Sequence, residues 1–141
     1  MRTIIAFAAA LGITIVCLAQ EAPKKINKVP IEYTSPGSGP EMFRSYCAPC
    51  HGPDGKGDGP AASALKKAPA NLSLLTKHNN GKFPTLEVQN TIKGDSSFGA
   101  HGSRDMPMWG DLFRSIGPGG DGAVQIRIRV LRDYIETLQD K

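Results

Sequence analysis

The sequence predicts an all-α domain, and three observations carry that expectation. Val124, Ile128, Leu131, Ile135 and Leu138 recur at the spacing of one helix face. No stretch shows the strict apolar–polar alternation of a strand, and no internal repeat is visible. The segment Cys47-Ala48-Pro49-Cys50-His51 sets two thiols about one helical turn apart, with an imidazole next in line.

The 141 residues suit one domain preceded by two short segments. Residues 1–19 read as a signal peptide: Arg2 near the start, an apolar run from Ile4 to Ala19, and small residues at Cys17 and Ala19 before a cleavage point. A retained membrane anchor is the competing reading, but the run is shorter than the roughly 20 residues a spanning helix needs. Lipidation at Cys17 lacks the small residue it requires, because Val16 precedes it. Residues 20–38 are rich in Pro, Lys, Ser and Gly without apolar periodicity, and read as a flexible leader to a domain at 39–141.

Within that domain, Gly39-Pro40-Glu41 marks a first helix, with proline at its opening position and an acid in its first turn. Met42, Phe43 and Tyr46 give it an apolar side, and it runs into Cys47. The glycine density from Gly52 to Pro60 forbids regular structure. A phosphate loop is excluded there, because the full spacing and the Lys-Ser/Thr ending are missing. A short helix is expected over 61–67 and another over 84–93, where Val88 and Ile92 share a face and Gly94 supplies the stop. Residues 95–109 read as irregular, and Gly117-Pro118-Gly119-Gly120 as a break before the last helix. On that helix Arg127, Arg132, Asp133 and Glu136 are expected to face water.

Cleavage after Ala19 leaves 16 Lys+Arg against 13 Asp+Glu. The basic residues are scattered and form no basic–aromatic stripe, which argues against a nucleic-acid partner. Exposed lysines can steer the chain toward an acidic redox partner, although a solvated surface explains them equally well.

The C-x-x-C-H pattern is the attachment signature of a c-type haem. Each thiol can form a thioether to a porphyrin vinyl group, and His51 is placed to ligate the iron. A redox dithiol would call for a βαβ surround, and structural zinc for four ligands; His78 and His101 are isolated. An electron carrier keeps six ligands on its iron, so a second axial ligand must come from farther along. Met106 is favoured over Met108, His101 and His78, because Pro107 stiffens the extended chain beside its sulfur. Met42 sits too close to the attachment site to reach the opposite face. Met is more often core filler, which is the competing reading of Met106.

With these residues the chain resembles the monohaem class I cytochromes c over about residues 39–139. Gly39-x-x-Met42-Phe43-x-x-x-Cys47 is similar to the family's first helix, Leu131-x-x-Tyr134 to the matching pair on its last, and Met106-Pro107-x-Trp109 to its distal-ligand segment. The resemblance implies an all-α class I cytochrome c fold, about three to five helices around one covalently bound haem. It implies that the first and last helices cross, with Gly39 letting their backbones approach. It also implies that a proline carbonyl, from Pro60 or Pro69, accepts a hydrogen bond from His51. Trp109 is placed to offer its N–H to a propionate or to anchor the core, and Arg104 to pair with a propionate or stay solvated. The implied function is electron transfer by one haem c cycling between Fe(III) and Fe(II), with iron bound by His51 and Met106. The protein would be exported or periplasmic, monomeric, at most peripheral to a membrane, and an electron carrier rather than an enzyme. Its partners would be redox proteins: a quinol-oxidising complex, a terminal oxidase or a periplasmic dehydrogenase. A haem subunit of such a complex is the alternative, followed by a five-coordinate haem enzyme or ligand sensor.

Overall fold

The computed structural model describes residues 31–95 and 106–140. The expected signal peptide, most of the leader, His101 and Arg104 lie outside them. Among the described residues the chain is helical and contains no strand. Three short stretches follow one another without a break: α1 (Gly39–Met42), a π-helical turn (Phe43–Cys47) and α2 (Ala48–His51). After them come α3 (Leu75–His78), α4 (Thr85–Lys93), α5 (Trp109–Ile116) and α6 (Gly120–Thr137). No helix among the described residues is long and apolar enough to cross a membrane.

The first helical segment begins as its sequence suggests. Ser38 caps it by accepting from the Glu41 N–H, and Pro40 occupies the first turn. The sequence pattern runs it into Cys47; it continues past that residue as far as His51. The widened turn has a covalent cause in Pro49, which has no N–H to return and whose ring crowds the carbonyl four residues back. The Ala48 N–H accordingly reaches the Phe43 carbonyl, one residue farther than an α-helix would take it.

Three expectations need correction. Residues 61–67 hold only a 3-10 turn at Ala62–Ala64, because the chain there is drawn back by the Ala61 N–H to the Pro49 carbonyl and has no apolar face to bury. The expected irregular stretch 95–109 lies mostly outside the described residues, but its last residue, Trp109, opens α5, where Trp109, Phe113 and Ile116 form an apolar stripe; Trp109 and Phe113 are buried and Ile116 is half-buried. Arg127 is buried rather than solvated. It lies three residues from Val124 and four from Leu131, on the apolar stripe of α6 itself.

α6 packs against α1, α4 and α5 and so organises the domain. At the α1–α6 contact a methyl group on Gly39 would lie 2.8 Å from the Tyr134 Cβ and 2.9 Å from the Val130 carbonyl oxygen. Only glycine permits that approach. It brings Phe43 onto Tyr134, with ring centroids 5.3 Å apart, and seals Met42, Phe43, Phe113, Ile128 and Leu131 completely.

The part of the leader within the described residues carries no helix but is anchored. Arg127 donates to the Thr34 carbonyl (2.9 Å) and hydroxyl (3.3 Å), and to the Met42 sulfur (3.6 Å). Its guanidinium also lies over the rings of Tyr33 and Phe113. The cation is thus solvated by a carbonyl, a hydroxyl, a sulfur and two π faces, which is what burial of a charge demands.

Gly39→Ala should lower stability by about 1–3 kcal/mol, the range for overpacking a close contact. Gly122→Ala, on α6 with open space around it, should be neutral or raise stability by up to about 1 kcal/mol. Urea denaturation of both variants checks the pair; equal midpoints would contradict the close approach.

Candidate functional site

Cys47, Cys50 and His51 share the helical segment that Gly39 and Phe43 dock onto α6. Cys47 is buried and Cys50 is half-buried, and both thiols are free. Three residues apart on a helix, they lie on one side of it. Burial pushes the Cys47 thiol up to about 12, and the neighbouring Cys50 adds to the rise. Cys47 is therefore a protonated thiol at neutral pH.

The glycine-rich stretch after His51 folds back on the end of α2. Its N–H groups take the carbonyls that a helix C-terminus leaves without partners: Gly57 donates to His51 (2.7 Å), Gly59 to Cys50 (3.1 Å) and Ala61 to Pro49 (2.8 Å). A methyl group on Gly59 would sit 2.5 Å from the carbonyl oxygens of both Ala48 and Pro49. The loop can lie this close only because the residue is glycine.

The next loop orients the imidazole. His51 Nδ1 lies 3.0 Å from the carbonyl oxygen of Ala70. A carbonyl only accepts, so Nδ1 carries the proton and donates it. Burial lowers the pKa of His51, with the Ala70 hydrogen bond acting in the opposite direction. The ring is then neutral at pH 7, and Nε2 holds the free lone pair. This tautomer is the one a metal needs, with the distal ring nitrogen basic and the near one anchored.

The acceptor is neither Pro60 nor Pro69. Pro60 is exposed, on the arm beyond Gly59. The Pro69 carbonyl lies where a side chain on Gly57 would be. That leaves the following carbonyl, at Ala70, for the ring. The Ala70 loop is itself held from behind. Leu72 N–H donates to the Gly55 carbonyl (2.6 Å). Gln139, just past α6, donates to the Leu72 carbonyl (2.7 Å) and accepts from the Thr76 N–H (2.8 Å). Ala70 and Gln139 were not foreseen, because a backbone acceptor and a terminal glutamine leave no pattern in the sequence.

The other candidates are distributed as follows. Met106 is half-buried and packs against the core, as do half-buried Leu72, Leu75 and Phe83. Met108 is 56% exposed. Met42 is sealed in the core with its sulfur accepting from Arg127. His78 lies exposed at the end of α3. Trp109 is a core anchor, its ring tilted against those of Tyr46 and Phe113 at centroid distances of 5.3 and 5.4 Å. No cluster of three or more His, Cys, Asp or Glu side chains able to hold a metal occurs among the described residues.

Searches against protein-family models, curated proteins and solved structures each return no match. The functional reading therefore rests on the motif and its geometry.

NMR titration of the chain should place the His51 midpoint below the ordinary value of about 6.5 and show the neutral ring protonated at Nδ1. The sign for stability follows: the contribution is full above the unfolded-state midpoint and is lost as pH falls through the folded one. A ring protonated at Nε2 would contradict the site. Gly59→Ala should cost about 1–3 kcal/mol by overpacking and shift the His51 ring resonances; unchanged resonances would remove the loop from the account.

Proposed function

We propose that this chain is an electron carrier with one haem c, attached through Cys47 and Cys50 and ligated by His51 and Met106. The observation that carries the reading is the state of the C-x-x-C-H segment. It has two unpaired thiols on one side of a continuous helical stretch, followed by an imidazole whose Nδ1 is anchored to Ala70. The donor set suits the group. The two thiols can each add sulfur and hydrogen across a vinyl double bond, with nothing leaving. Nε2 of His51 offers a lone pair, and Met106 offers a soft thioether. Half-buried Leu72, Leu75 and Phe83 supply apolar surface for a porphyrin face to cover.

When bound, the haem supplies a one-electron Fe(III)/Fe(II) couple. The residues of the chain set its conditions. Ala70 keeps the His51 ring from rotating and raises its basicity as a ligand. A thioether from Met106 and dry apolar surroundings favour the reduced, less charged state and so raise the potential. Fixing both ligands in the fold limits rearrangement when the electron moves.

The proposal includes export, since residues 1–19 read as a signal peptide, and a monomeric carrier rather than an enzyme. It includes weak, transient docking to redox proteins such as a quinol-oxidising complex, a terminal oxidase or a periplasmic dehydrogenase.

The exported protein should keep its haem absorption through denaturation and acid–acetone extraction, and lose covalent attachment when Cys47 and Cys50 are both replaced by Ser. Met106→Ala should abolish the weak near-infrared sulfur-to-iron band, while Met108→Ala retains it. Haem that extracts freely would refute the attachment, and loss of the band only in the Met108 variant would refute the ligand.

A further inference from the structure

We propose that Trp109 is the positioning residue for Met106, locking the ligand loop onto the haem-attachment segment through Tyr46. The proposal rests on the reading of Met106 as the second axial ligand. Trp109 is the first residue of α5, three after Met106, and is buried. Tyr46 immediately precedes Cys47 and is buried as well. Their ring centroids are 5.3 Å apart, and Phe113 closes the group at 5.6 Å from Tyr46 and 5.4 Å from Trp109. Ring contacts of Tyr46 with Trp109 and Phe113 thus join the chain bearing Cys47 and His51 to α5, and of the two Trp109 is the one next to the chain bearing Met106.

Tyr46 is a firm base for such a lock. Its hydroxyl donates to the Glu32 carbonyl (2.7 Å) and accepts from Thr34 (2.8 Å). Thr34 in turn is held by Arg127 from α6. The base therefore cannot shift without breaking a buried network. The other side of the α5 start is fixed too, since a methyl group on Gly110 would lie 2.6 Å from the Lys93 carbonyl oxygen at the end of α4. Between these two anchors only Pro107 and Met108 separate Trp109 from Met106, and Pro107 has a fixed φ. Placing the indole therefore limits where the Met106 backbone can lie, and with it the reach of the thioether. Phe113 belongs to the same aromatic group but lies one turn farther along α5, so it stabilises the core without steering Met106.

The test compares Trp109→Leu, Trp109→Phe and Phe113→Leu in the haem-loaded protein. The readouts are affinity for added imidazole, the near-infrared sulfur-to-iron band and the denaturation midpoint. Loosening Met106 lowers the weight of its bound state, so Trp109→Leu should bind imidazole about tenfold more tightly and weaken the band. Trp109→Phe, which keeps a ring on Tyr46, should restore both toward wild type. Phe113→Leu should lower the midpoint while leaving imidazole affinity unchanged. Should Trp109→Leu not fold, Tyr46→Leu removes the same contact from the other side and is expected to raise imidazole affinity in the same way. Equal imidazole affinities for wild type and the Trp109 and Tyr46 variants would overturn the proposal, as would an equal rise in Phe113→Leu. A wild-type protein without the band would instead overturn Met106 as ligand, and the positioning role with it.

Discussion

The approach of α1 to α6 at Gly39 is the constraint on which the rest of the molecule depends. With no Cβ at this position, the helix backbone meets Val130 and Tyr134 directly, and Phe43 then seats on Tyr134. That contact decides how the segment 39–51 is rotated. It turns Met42, Phe43 and Tyr46 into the core and leaves Cys50 and His51 at its margin. The π-helical turn that ends at Cys47 belongs to the same arrangement, since it shifts the angular position of the thiols relative to the docked residues Gly39 and Phe43. Motif and core are thus two sides of one segment, and neither moves without the other.

Around this segment the chain solves a backbone problem and fixes the His51 ring in doing so. α2 ends in free carbonyls, and the glycine loop supplies N–H groups to them because it can lie against the helix. The loop leads on to Ala70, whose carbonyl takes the His51 Nδ1 proton and leaves Nε2 basic. Gln139 ties the far side of the same loop to the end of α6. The ring that we assign to the metal is therefore fixed by the helix that organises the core. Burial adds the electrostatic condition, lowering the pKa of His51 so that the ring is neutral where a ligand must be.

What was legible in the sequence was what side-chain type and periodicity encode. The last helix announced itself through Val124, Ile128, Leu131, Ile135 and Leu138; the contact of α1 with α6 was expected only from the resemblance carried by Gly39, Phe43, Leu131 and Tyr134. The thiols and the imidazole were legible as a motif. Ala70 was not, because any residue supplies a carbonyl; the prolines ahead of it, Pro60 and Pro69, drew attention away from it. Arg127 was misread because its charge was weighed above its position, although it sits on the apolar stripe between Val124 and Ile128. α5 was missed because it is short and flanked by Pro107 and Gly117, yet Trp109, Phe113 and Ile116 carry its period. The turn at 61–67 failed for the opposite reason: its alanines favour helix, but it has no apolar face to bury.

The central claim is that Cys47 and Cys50 hold one haem through bonds that survive unfolding. Intact-mass measurement of the exported, denatured protein tests it most directly. The account predicts a chain beginning at Gln20 that is heavier by the mass of one haem. The bare mass of that chain, or a mass two hydrogens lighter from a Cys47–Cys50 disulfide, would contradict it.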